Sequence, residues 1–144
     1  MSDRGNAARL VMALKAGAVY FLAVFAAGFV LGVLRTLFVA PRIGVLAAVA
    51  VELPIVLAVA WWVSARLQRA PSPTLRDAGV MGGMAFVLLM LAEASLSIAL
   101  FGRTFAGHLA LYADADHQLG FAGQVAFALI PTVQVRHRRR KDLS

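Results

Sequence analysis

The chain has 144 residues, 61% of them hydrophobic, with a mean hydropathy of +0.81 and a net charge of +7. A water-soluble domain is closer to half apolar, so an aqueous core of this length could not hide so much apolar surface. The absence of cysteine excludes disulfides, thiolate metal sites and cysteine nucleophiles. The positive charge lies in short clusters beside apolar runs, which points to orientation in a lipid bilayer and not to nucleic acid.

Residues 1–15 are polar and basic, with Arg4, Arg9 and Lys15. The run from Ala16 to Leu34 is apolar apart from Tyr20. At roughly 1.5 Å per residue it spans the hydrocarbon core of a bilayer. It is long for a signal peptide, and no polar segment with a cleavage site follows it, so it reads as a retained span. Arg35 interrupts the run, Leu37 to Ala40 continue it, and Pro41-Arg42-Ile43-Gly44 supplies a turn. The predicted architecture is all-α: one domain, an integral membrane four-helix bundle with helices at about 16–40, 43–63, 79–101 and 119–135. Residues 64–78 form a polar linker with two prolines and three arginines, and residues 102–118 an outer loop. Within that loop Phe105, Leu109 and Tyr112 recur at helical spacing and suggest a short amphipathic helix at the interface.

Orientation follows from the Lys and Arg distribution. With four spans, the N-terminus, the 64–78 linker and the C-terminal tail share one side and carry eleven of these residues; Arg35, Arg42 and Arg103 are on the other. Both termini are therefore expected in the cytoplasm. Trp61 and Trp62 then fall at the cytoplasmic end of the second helix, where an aromatic belt would place them.

Four polar residues lie inside the predicted spans at similar depth. Counted from the outer ends, Arg35 and Gln124 are roughly 8 Å in, Glu93 roughly 12 Å and Glu52 roughly 13 Å. Four helices placing polar groups in one slab predicts one buried cluster of Arg35, Glu52, Glu93 and Gln124. Gly28 and Gly32 form a GxxxG motif on the face of the first helix that carries Arg35. Gly82 shares a face with Glu93 on the third. These three glycines are the predicted helix-packing positions. Pro54 cannot donate to the carbonyl of Ala50 and is expected to act as a hinge beside Glu52.

An isolated charge at such depth costs about 2.5–3.5 kcal/mol on insertion scales. Arg35 can neutralise one glutamate, which leaves the second to be matched by Arg42, Arg103 or a proton. Such a cluster can fix helix assembly, or it can mark a proton, ion or substrate path. No catalytic constellation is present, so no enzymatic activity and no cofactor are expected. His108, Asp114, Asp116 and His117 match no standard ligand motif and read as a solvated loop without metal. Arg136, Arg138, Arg139, Arg140 and Lys141 would attract anionic lipid headgroups.

The patterns AGFVLGVLR, APRIG and ELP between Gly28 and Pro54 resemble a group of small four-span bacterial inner-membrane proteins of unknown function. The resemblance is strongest from Tyr20 to Ala65 and implies a multi-pass protein of the bacterial cytoplasmic membrane. Small multidrug exporters are also four-span chains with a membrane glutamate, but theirs lies in the first helix, where this chain carries Arg35. The expected role is structural or accessory: association with itself or with a larger membrane complex through small-residue faces and the Arg/Glu cluster. The alternative is a small transporter or proton- or ion-conducting protein that uses Glu52 and Glu93 with Arg35.

Overall fold

The computed structural model describes residues 3–69 and 73–143. Among them there are no strands. The elements are α1 (Asp3–Leu34), a π-helical stretch (Arg35–Val39), α2 (Ala40–Ile43), α3 (Val45–Leu67), α4 (Leu75–Phe101), α5 (Phe105–Ala110), a 3-10 turn (Leu111–Ala113) and α6 (Ala115–Lys141). The first three run on as one helical rod. With α3, α4 and α6 they make four helices that are long and apolar enough to cross a membrane.

Each helix extends beyond the apolar run that announced it. The first begins at Asp3, because Ala, Arg, Leu, Met and Lys in the polar segment are all strong helix formers. The last reaches Lys141, where its basic residues face the negative end of the helix dipole. The linker shrinks accordingly: α3 continues to Leu67 and α4 starts at Leu75, with residues 70–72 of the expected linker outside the described residues. Thr74 caps α4. Its hydroxyl accepts from the Asp77 amide at 3.0 Å, and the Asp77 carboxylate accepts from the Thr74 amide at 3.1 Å.

The turn expected over 41–44 falls at its last residue and not at its proline. The rod passes through Pro41 and breaks at Gly44, whose φ of 85° is readily adopted only by glycine. The π-helical stretch explains how. Pro41 lacks an amide hydrogen, and its ring would press on the carbonyl four residues earlier, that of Leu37. The wider turn at 35–39 relieves that contact, with the Ala40 amide bonding to the Arg35 carbonyl. Arg42 folds back and donates to the Phe38 carbonyl, satisfying an acceptor near the end of the rod.

Packing follows the ring order α1, α4, α6, α3, each helix touching its two neighbours. The core gathers at one end: Tyr20, Phe21 and Val24 from α1, Ala60 from α3, Met81 and Ala85 from α4, Phe127 and Ile130 from α6. Two glycines let backbones meet there. A Cβ on Gly17 would lie 2.6 Å from the Met81 carbonyl oxygen, and one on Gly82 would overlap the Ala128 carbonyl. Proline chemistry adds a bond across the bundle. Pro131 cannot donate to the Phe127 carbonyl one turn earlier, and the fully buried Tyr20 hydroxyl supplies that bond at 2.8 Å. The two rings stack with centroids 4.4 Å apart. Beside them Ser64 donates to the Gln134 side-chain oxygen at 2.8 Å, and Gln134 donates to the Trp61 carbonyl at 2.8 Å. Arg138 caps the end of α3 through the Gln68 carbonyl at 3.1 Å.

The first turns of α1 and the last turns of α6 lie at this packed end. Arg9 of α1 pairs with Asp77 at the start of α4 at 3.3 Å, and Arg138 of α6 reaches the end of α3. Toward the opposite end the packing thins on the α1 and α4 sides: no residue of the rod beyond Val24 is buried, and α4 contributes only Ser97 beyond Ala85. On the α3 and α6 sides Ala48 stays buried and Leu53 packs against Gly123. The bundle is shut at one end and splayed at the other.

Candidate functional site

The splayed end encloses an open cleft of about 970 Å³ bordered by all four long helices. Its deep part is apolar. Phe21, Phe25 and Phe29 form a ladder along α1, with successive ring centroids 5.2 and 6.3 Å apart, opposite Leu89 of α4 and beside Val56 and Leu57 of α3. Its outer part is polar, and Arg35, Glu52, Glu93 and Gln124 all border it.

These four residues form two pairs on facing walls. On the α1/α3 wall, Arg35 Nε lies 2.5 Å from Glu52 Oε2. The N–H is not aimed along that line, so charge and not a well-formed hydrogen bond holds the pair. On the α4/α6 wall, Gln124 Nε2 donates to Glu93 Oε1 at 2.6 Å. Among the described residues no hydrogen bond or ion pair joins Arg35 or Glu52 to Glu93 or Gln124, so the four stand as two separate pairs on the border of the cleft.

Other expected residues take different places. Gly32 gives room to the ion pair: a Cβ there would stand 3.9 Å from both Arg35 Nη2 and Glu52 Oε1. Gly28 borders the cleft with no atom within 4 Å of its missing Cβ, because the helices have already parted at that level. Of the three glycines proposed for packing, Gly82 alone meets a neighbouring backbone. Pro54 lies inside α3, which is helical from Val45 to Leu67. Arg42 is engaged with its own helix, and Arg103 lies over the Phe101 ring at 5.0 Å while bordering the cleft. Neither pairs with Glu93.

The 102–118 segment contributes more than its sequence promised. Thr104 caps α5 by accepting from the Gly107 amide at 3.0 Å. The helix turns Phe105 and Leu109 outward and buries His108. His108 packs edge-on to Tyr112, which packs edge-on to Phe121 of α6. The spacing of His108 and Tyr112 was the available signal; the more hydrophobic Phe105 and Leu109 obscured it. Ser97 and His108 line the cleft, and their buried Oγ and Nδ1 atoms have no hydrogen-bond partner, the residues being only 5% and 8% exposed. Gln124 Oε1 is likewise unpaired. Asp114, Asp116 and His117 bring one ligand atom each within 4.8 Å of one another at the start of α6, and His117 Nδ1 lies 3.1 Å from Asp116 Oδ2. Asp114 is exposed, and the positive end of the α6 dipole opposes a cation there.

The chain matches no family model, no curated protein and no solved structure. The functional reading therefore rests on the cleft itself.

Proposed function

We propose that the chain is a multi-pass protein of the bacterial cytoplasmic membrane that binds a ligand in a cleft open to the outer side, as a small transporter does. Membrane insertion is supported by four long helices that are apolar on nearly every side. Orientation is supported by the eleven Lys and Arg of the termini and the 64–78 segment, which belong at the packed end. The packed end then faces the cytoplasm and the cleft faces out. The single observation that carries the function is this half-open packing around charged walls. A cluster serving only to hold helices together should be dry and filled, whereas this one borders space large enough for a small molecule.

A test uses the absence of native cysteine. Leu96 borders the cleft and Ser64 is buried at the packed end. In intact cells a membrane-impermeant thiol reagent should label Leu96→Cys, as well as Ala106→Cys in the outer loop, and should spare Ser64→Cys. Labelling of Ala106→Cys without Leu96→Cys would remove the water-filled cleft and with it the proposal.

One observation favours a second reading, assembly with another copy or a membrane partner. Gly79 and Gly83 of α4 form an outward-facing GxxxG pair with open space where each Cβ would stand.

A further inference from the structure

The cleft has a chemical bias that its shape alone does not convey. Among the charged groups that border it are two arginines, Arg35 and Arg103, against three carboxylates, Glu52, Glu93 and Asp116. Glu52 has its arginine. Glu93 has the amide of Gln124 and lies close enough to His117 to interact with it electrostatically, and among the described residues no Lys or Arg forms an ion pair with it. With its histidines neutral the cleft is one positive charge short, in a setting where an unmatched charge is costly.

The unpaired polar atoms point the same way. Gln124 Oε1 can only accept a hydrogen bond, the Ser97 hydroxyl can accept one, and His108 Nδ1 can accept one in the neutral tautomer protonated on Nε2. Ser97 and His108 are each more than nine-tenths buried. Together with Glu93, the residues that carry these buried acceptors line one cleft, and the set suits a group that presents several N–H donors. Below them lies the apolar floor of Phe21, Phe25 and Leu89. A bare metal or alkali ion would leave that floor unused, and the space is many times larger than such an ion needs.

We infer that the cleft takes an organic monocation of amphiphilic shape, an ammonium head on an aromatic or hydrocarbon body. The head lies at Glu93, Gln124 and Ser97, and the body lies on the phenylalanine ladder. Glu93 is the group that selects for charge; Arg35 holds Glu52 in place and repels a second cation. This rests on the reading of the cleft as a binding chamber and names the class of its ligand.

The test compares three probes of nearly equal size, 3,3-diphenylpropylammonium, 3,3-diphenylpropanol and 3,3-diphenylpropionate. Each is titrated calorimetrically into the full-length protein in lipid nanodiscs, with empty nanodiscs as the blank. The ammonium should bind saturably and the other two should not. Glu93→Gln should weaken its binding about tenfold or more, as expected for loss of a charged hydrogen-bond partner. Ser97→Ala should weaken it by about threefold, the loss of one neutral bond, and serves if Glu93→Gln does not fold. Preference for the carboxylate, equal binding of all three, or ammonium binding indifferent to both substitutions would overturn the assignment. So would no binding at all. Thiol labelling at Leu96→Cys separates the two failures: labelling without ammonium binding rejects the ligand class and keeps the open cleft, and no labelling rejects both.

Discussion

Tyr20 is the residue on which the packed end most visibly depends. Its hydroxyl replaces the hydrogen bond that Pro131 removes from α6. Tyr20→Phe should destabilise the protein by about 1 kcal/mol, since the Phe127 carbonyl is left without a donor. In a Pro131→Ala background the same change should have much less effect, because an alanine at that position restores the helical amide. A thermodynamic cycle measured by unfolding in mixed micelles would show this coupling, and equal losses in both backgrounds would disprove it. The pairing of Arg35 with Glu52 could be read from the sequence, since the two lie at similar depths on either side of a short turn. The Tyr20–Phe127 bond could not. A lone tyrosine in an apolar run resembles any interfacial aromatic, and its partner is a carbonyl with no side-chain signature. Pro131 did announce that some carbonyl would need a donor, without saying whose.

Among the elements, α4 is held on two sides by glycine contacts, with α1 through Gly17 and with α6 through Gly82. Gly82→Ala should force α4 and α6 apart and cost about 1–3 kcal/mol. Gly28→Ala, with open space before it, should be neutral or gain up to about 1 kcal/mol of helix propensity. Melting temperatures in detergent would rank the two variants, and the opposite ranking would contradict the close approach at Gly82. The existence of the four helices was legible because each contains an apolar run of membrane length. Their ends were not, because apolarity marks a slab of lipid while the hydrogen-bonded helix continues past it through Arg, Lys and Ala. The helix faces were equally hard to read. When almost every side of a helix is apolar, periodicity cannot say which side meets protein, and GxxxG spacing at Gly28 and Gly32 carries no information about whether a neighbour is present.

For the whole molecule, the charge asymmetry yields the clearest expectation. A fluorescent protein fused to either terminus should fold in the cytoplasm, and alkaline phosphatase fused after Gly102 should be active on the outer side. Phosphatase activity at the C-terminus would invert the proposed orientation and turn the cleft inward. The half-open packing itself was not legible, because it depends on how far apart helices stand after they leave a shared core. Sequence depth placed Arg35, Glu52, Glu93 and Gln124 in one layer, and all four border the cleft, but a layer does not distinguish a filled centre from a divided one.

The route of the chain gives this division a mechanical meaning. At the splayed end, each covalent connection stays within one wall: Gly44 joins the rod to α3, and residues 102–114 join α4 to α6. The end of α3 at Leu67 and the start of α4 at Leu75, between which the chain passes from one wall to the other, lie at the packed end. The molecule is thus a pair of tweezers, two helical hairpins tied together at the base. Moving the tips would stretch no backbone segment at that end, but it would work against the contacts between the hairpins, among them Gly17 on Met81, Tyr20 on Phe127 and Leu53 on Gly123. Closing the tips would bring the carboxylate of one hairpin toward the ion pair of the other, so whatever sits between them would be gripped from both sides at once.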